Sequence, residues 1–180
     1  MNNLQDYIKV IPNAIPNELC NAIVSEYKDC ADWKEAEIEF GLNKDVRNCR
    51  TILLSTQELI SRKQLDGEIF KCVTNLVSFY QNQFPHWHSR SDTGYELLEY
   101  KTGGFYKTHV DSFKGATRSL SCSFILNDNF EGGEFSFFDR MLNYKVEKGS
   151  AIIFPANFMY PHEILPVISG TRYSIITWLQ

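Results

Sequence analysis

Residues 119–138 read SLSCSFILNDNFEGGEFSFF, and residues 142–154 read LNYKVEKGSAIIF. Short aromatic and β-branched runs alternate here with Asn127–Asp128–Asn129, Gly132–Gly133 and Gly149. The runs fit pleated, half-buried strands, and the punctuating residues fit the turns between them. This texture begins after Thr93. It predicts strands near 95–100, 104–109, 119–126, 134–138, 142–146, 150–154, 160–165 and 171–179. Short strands in such a series predict a two-sheet jelly roll (a double-stranded β-helix) or a barrel. An immunoglobulin-like sandwich is the alternative, but it does not explain helical patterns ahead of the strands.

Upstream, Asn17 is placed to cap a helix through about Asp29, with Leu19, Ile23, Val24 and Tyr27 on one face. Ser55 or Thr56 is placed to cap a second. A third pattern runs over Gly67–Phe84 and stops at Pro85. Lys34–Leu54 is less regular, with a strand expected around Arg50–Leu54. The expected fold is mainly β with N-terminal helices: a jelly roll buttressed by about three helices. Residues 1–180 are expected to form a single domain, 1–92 as mainly helical support and 93–180 as the jelly-roll core.

The 180 residues are enough to bury a core, and 43% hydrophobic with 22% charged residues is ordinary for a globular protein. A net charge of −4 gives no sign of a nucleic-acid partner. Cys20, Cys30, Cys49, Cys72 and Cys122 are odd in number and make no C-x-x-C pair, so reduced, mostly buried thiols are expected rather than disulfides or structural zinc. The opening MNNLQDYIKV lacks the basic and apolar regions of a signal peptide, and no apolar run approaches a membrane span. A reducing cytoplasm is the expectation.

His109 and Asp111 form an H-x-D pair, and on an extended chain alternate side chains share a face. An imidazole and a carboxylate are two thirds of the facial triad that binds non-haem Fe(II) and leaves positions open. Of four histidines, His162 lies in a late predicted strand that the fold can bring beside His109. Arg172 opens the apolar run Arg172–Ile176, where a cation needs a partner; its planar fork suits a carboxylate. His86 and His88 form an H-x-H without a third ligand nearby, and are read as ordinary surface residues.

These residues resemble the prolyl 4-hydroxylase branch of the 2-oxoglutarate/Fe(II)-dependent oxygenases. The resemblance covers about residues 95–180. It rests on Y-x-x-x-x-x-Y-x-x-H-x-D at 100–111, G-G-E at 132–134, K-G-S-A-I-I-F-P at 148–155, H-E-I-L-P-V-I-S-G-T-R at 162–172, and Trp178. It implies that His109, Asp111 and His162 hold Fe(II), and that Arg172 and Tyr100 bind 2-oxoglutarate. It also implies that Tyr106, Arg118 and Trp178 line a substrate groove. The implied reaction uses O2 to hydroxylate a C–H bond, most simply of a peptidyl proline, releasing succinate and CO2; ascorbate is an expected accessory. The implied partner is a proline-containing peptide or protein, with no nucleic acid and no membrane. Ile125 stands where related enzymes often carry a Tyr beside 2-oxoglutarate, so one hydrogen bond is expected to be missing. The same chemistry on a free amino acid, another side chain or a nucleobase is the alternative, and a non-catalytic binding module is a third.

Overall fold

The computed structural model describes residues 3–180. A 3-10 turn at Leu4–Tyr7 leads into β1 (Lys9–Ile11), α1 (Asn17–Tyr27), β2 (Lys34–Glu35), β3 (Arg47–Asn48), β4 (Arg50–Leu53) and α2 (Ile60–Gln83). The C-terminal half then runs through β5 (Glu96–Lys101), β6 (Phe105–His109), β7 (Leu120–Ile125), β8 (Phe130–Gly132) and β9 (Phe135–Phe137). It closes with β10 (Leu142–Tyr144), β11 (Ala151–Pro155), β12 (His162–Ile164) and β13 (Val167–Leu179). The larger sheet has the order β1-β11-β7-β13-β5-β4-β2, with β8 also on β13; the smaller has the order β10-β9-β12-β6-β3.

Side-chain alternation along the long β13 sorts the whole core. Ile175 and Leu179 point to one face and pack with Leu97, Cys122, Phe124 and Ile153 against α1 and α2. Residues of opposite parity, among them Tyr100, Leu98, Ile125, Ile152 and Phe154, pack against Phe135, Phe137 and Ile164 of the smaller sheet. The second cluster lies between the sheets. Arg172, Ser174, Ile176 and Trp178 share its parity, since Arg172 pairs with Tyr100 and Ser174 with both Leu98 and Ile125. The molecule is therefore mostly β, two antiparallel sheets with helices over the outer face of the larger.

The expected third helix is absent among the described residues. The second and third helical patterns merge into the one helix α2, which starts only at Ile60. Ser55 does not cap it, because its hydroxyl accepts a hydrogen bond from the Tyr95 backbone N–H at 2.9 Å and ties the chain to the start of β5. Gly67 lies inside α2 without breaking it. The first ninety residues also contribute strands, and the short β1, β2 and β3 extend sheets made mostly of the later chain. Two- and three-residue strands carry too little periodicity to be read locally. No helix of the described residues is long and apolar enough to cross a membrane.

Phe124 is fully buried where the larger sheet meets the helices. Phe124→Ala should cost about 3–5 kcal/mol, the range for an aromatic cavity in a packed core. Urea denaturation would show this as a fall in midpoint at unchanged slope; a loss under 1 kcal/mol would mean the helix–sheet interface is loosely packed.

Candidate metal centre and co-substrate pocket

β6 ends at His109 and β12 begins at His162, and antiparallel pairing sets the two directly opposite each other. Asp111 follows two residues beyond β6 and turns inward, where Ser121 of the larger sheet donates to its Oδ2 at 2.5 Å. His109 Nε2 lies 3.3 Å from Asp111 Oδ1, and His162 Nε2 lies 3.5 Å from Asp111 Oδ2. One ligand atom from each residue falls within 4.8 Å of the others. Among the described residues this is the one cluster of metal-binding side chains.

The far nitrogens explain the aim of the near ones. His109 Nδ1 sits 2.8 Å from the Lys107 carbonyl and His162 Nδ1 sits 3.1 Å from the Tyr160 carbonyl. With the proton on Nδ1 donated to each carbonyl, both Nε2 lone pairs face the Asp111 carboxylate, the tautomer a metal ligand needs. Burial disfavours a charged Asp111, but in the metal-free protein the positive charge that the imidazoles take up in acid, with the Ser121 hydroxyl, outweighs it and holds the carboxyl well below its usual range. Two neutral imidazoles and one carboxylate on a shared point suit a divalent ion of the Fe(II) type.

Arg172 is 1% exposed on the inner face of β13. Its Nη1 donates to Ser174 Oγ at 2.7 Å, while Nη2 has no partner. The guanidinium lies 5.4 Å from the Tyr100 ring and 5.2 Å from the Phe135 ring, and no carboxylate of the described residues pairs with it. A buried, incompletely bonded guanidinium is costly unless an anion completes it, so the pocket fits a guest carboxylate. Tyr100 is buried beside it, with its hydroxyl against Cys49. Gly133 makes room: with φ at +69°, a side chain there would press its Cβ to 2.8 Å from Arg172 Cδ. Ile125 lies on the same inner face as Ser174 and, as expected, has no side-chain group to offer a hydrogen bond there.

The residues expected at a substrate groove also converge. Tyr106 stacks on the His109 ring at 3.5 Å between centroids. Arg118 lies 3.6 Å from the centre of the Trp178 ring and donates from Nη1 to the Asp111 carbonyl at 3.1 Å. Trp178 lines the same pocket as all three candidate ligands and Arg172, although it is only 7% exposed; its Nε1 has no partner. This pocket is narrow, about 20 Å³. A roomier cavity of about 470 Å³ lies on another side of Arg172, near Asn127, Glu134 and Lys145. None of the three candidate ligands lines it, so the chemistry belongs to the narrow pocket.

Sequence reasoning missed Arg47, Ser121 and Ser174. Arg47 lines the pocket, stacks over Tyr106 at 4.8 Å and leaves its Nε without a partner. Its local sequence, Asp45–Val46–Arg47–Asn48, gives no signal of this placement. His86 and His88 are exposed; His88 meets Gln81 at 2.9 Å and neither joins a metal cluster.

Residues 95–180 match the model of the 2OG-Fe(II) oxygenase superfamily. With the antiparallel two-sheet fold and the His-Asp-His cluster, this defines a 2-oxoglutarate-dependent dioxygenase that uses Fe(II), 2-oxoglutarate and O2. A PKHD-type hydroxylase of Shewanella sp. (strain MR-7) is 25% identical over 182 residues, covering 94% of this chain and 76% of its own. A prolyl hydroxylase from Trichoplax adhaerens, solved with a hypoxia inducible factor oxygen degradation domain peptide fragment, has a TM-score of 0.80 at 17% identity over 96% of this chain and 83% of its own. A Pseudomonas putida prolyl-4-hydroxylase has a TM-score of 0.75 at 19% identity over 97% of this chain and 92% of its own. Residues 95–180 thus carry a 2-oxoglutarate/Fe(II) oxygenase domain, and the whole chain shares the fold of these solved prolyl hydroxylases.

Burial, with the neighbouring His109, pushes the pKa of His162 down from 6.5 to about 4. The unfolded chain therefore takes up this proton near pH 6.5, and the folded, metal-free protein only near pH 4. Stability of the metal-free protein should fall as the pH drops through that window, by on the order of 3 kcal/mol. Denaturation of chelator-treated protein at several pH values measures the slope. An equal slope in His162→Gln would show that the loss comes from other groups.

Proposed function

We propose that the protein hydroxylates a C–H bond of a peptidyl proline, with release of succinate and CO2. In this reading His109, Asp111 and His162 hold Fe(II), which supplies the oxidising chemistry with O2 and 2-oxoglutarate when bound. Arg172 and Tyr100 take the far carboxylate of 2-oxoglutarate, Ser174 fixing the guanidinium plane. Tyr106, Arg118 and Trp178 form the walls on which a pyrrolidine ring and its peptide carbonyls lie. The two sheets are read as a double-stranded β-helix (jelly roll), and residues 1–180 as one working domain. The unpaired Nη2 of Arg172, in the same pocket as the three ligand side chains, carries the proposal. The substrate side is supported by the Arg118–Trp178 stack at the ligand cluster. The bound peptide in the Trichoplax adhaerens structure supports a polypeptide as the substrate class.

A second reading keeps the chemistry but takes a free amino acid or another carboxylate-bearing substrate. Arg47 favours it, being a further buried guanidinium in the pocket with an unpaired Nε and no carboxylate partner. Neither reading needs a membrane. A reducing compartment suits both Fe(II) and the five free cysteines.

The test is succinate formation with Fe(II), 2-oxoglutarate and a panel of proline-containing peptides and free amino acids. Peptide-dependent succinate with a 16-mass-unit gain on proline is the expected outcome. Turnover with amino acids alone would move the assignment to the second reading. Arg172→Ala should raise the KM for 2-oxoglutarate at least tenfold, since a buried charge-assisted contact is lost. Trp178→Ala and Arg118→Ala should lower peptide hydroxylation more than peptide-independent 2-oxoglutarate turnover. Equal losses in both would remove these two residues from the groove.

A further inference from the structure

Phe138, Asp139 and Arg140 have φ of +55°, +54° and +68°, three left-handed residues in succession without a glycine among them. They form the corner between β9 and β10, where Leu142 pairs back onto Phe137. A tight hairpin asks for positive φ, because that twist matches the strands, but Asn and Gly ordinarily supply it. A bulky Phe at positive φ is disfavoured, and such residues persist only where their surroundings over-determine them.

The surroundings here are one short segment, the chain that carries His162. The Phe138 ring lies 5.9 Å from the Tyr160 ring. The Phe138 N–H donates to the Pro161 carbonyl at 3.1 Å. The Phe137 ring stacks on the His162 ring at 5.6 Å. Arg140 reaches Glu163 with Nε on Oε1 at 2.6 Å and Nη2 on Oε2 at 3.3 Å. Three residues of the corner, Phe137, Phe138 and Arg140, thus hold four consecutive residues, 160 to 163. The Tyr160 carbonyl among them is the group that orients His162 Nδ1.

The Arg140–Glu163 pair adds little stability by itself, since the Arg140 side chain is 66% exposed. Its effect is geometric. Glu163 and His162 are neighbours on a strand, so their side chains take opposite faces: His162 looks into the pocket and Glu163 looks out to the clasp. We propose that the Phe137–Arg140 corner, closed by Arg140 on Glu163, is a clamp that positions the His162 imidazole for metal binding; Arg140 and Glu163 are positioning residues. The inference rests on the assignment of His162 as a metal ligand.

The experiment titrates metal-free protein with Co(II), read by its visible d–d bands. It compares the parent with Arg140→Gln, Glu163→Gln, the exchanged pair Arg140→Glu with Glu163→Arg, and Asp139→Gly, with His162→Ala as control. Each neutral variant should weaken Co(II) binding roughly tenfold, as when the hydrogen-bonded support behind a metal ligand is removed, and should shift the bands. The exchanged pair should recover most of the loss. Asp139 is exposed and makes no side-chain hydrogen bond among the described residues, so Asp139→Gly relieves strain without deleting a contact. Its thermal midpoint should rise while its Co(II) affinity and bands stay those of the parent, because every contact to residues 160–163 is kept. Parent-like affinity and bands in both neutral variants would overturn the clamp. Should those variants fail to fold, Arg140→Lys, which keeps the charge but loses the two-point contact with Glu163, takes their place, and parent-like affinity and bands in it would overturn the clamp instead. If His162→Ala also binds Co(II) like the parent, the fault lies in the metal assignment and not in the clamp.

Discussion

The Asp111 carboxylate is almost fully buried, between two imidazoles from the smaller sheet and a serine hydroxyl from the larger. Without those partners an ionised carboxyl at this depth would be neutralised or expelled. With them it joins the sheets at the point where a metal ion would be held. The join requires β6 and β12 to pair so that His109 meets His162, and it requires Ser121 to face inward on β7. A shift of one residue in either register would turn one of these groups to the other face. The packing of Phe124 and its neighbours under the larger sheet holds the strands in the register that the site needs.

Charge is distributed around this point in an unusual way. Arg47, Arg118 and Arg172 each keep at least one buried nitrogen without a partner, as does Trp178. Unsatisfied buried donors are rare in native proteins, and in the proposed function a carboxylate or peptide carbonyl would complete these four. Only Asp111 supplies negative charge among the pocket's ligands. The stability given up in burying these donors is recovered when the guest binds, so affinity for co-substrate and substrate is expected to be written in the same residues that strain the empty fold.

The strained corner at 138–140 belongs to the same logic. A backbone held in a disfavoured region beside a candidate ligand is a local cost that the surrounding contacts sustain. The relation to the known prolyl hydroxylases is one of fold, at 17–19% identity, and the corner is a property of this chain's own residues.

Much of this was legible locally. The eight strands expected after Thr93 match β5–β7 and β9–β13 within a few residues, because aromatic and β-branched runs stand between Gly and Asn turns, whereas β8 (Phe130–Gly132) formed where a turn was expected. The H-x-D pair, the late His162 and the cation of Arg172 in an apolar strand were likewise visible, since residue type and spacing along one strand are properties of the sequence alone. The short β1, β2, β3 and β8, the merging of two helical patterns into α2, and the roles of Arg47, Ser121 and Ser174 were not. A serine or an arginine carries no local mark of what it will face. Arg47 reaches Tyr106 across 59 positions, and although Ser121 is near Asp111 in the chain and Ser174 near Arg172, only the sheet pairing turns each hydroxyl towards its partner. The sequence by itself determined which chemical groups were available and which side of a strand each shares. Only the tertiary structure decided that they meet, because sheet register, not sequence neighbourhood, sets which distant side chains stand opposite one another.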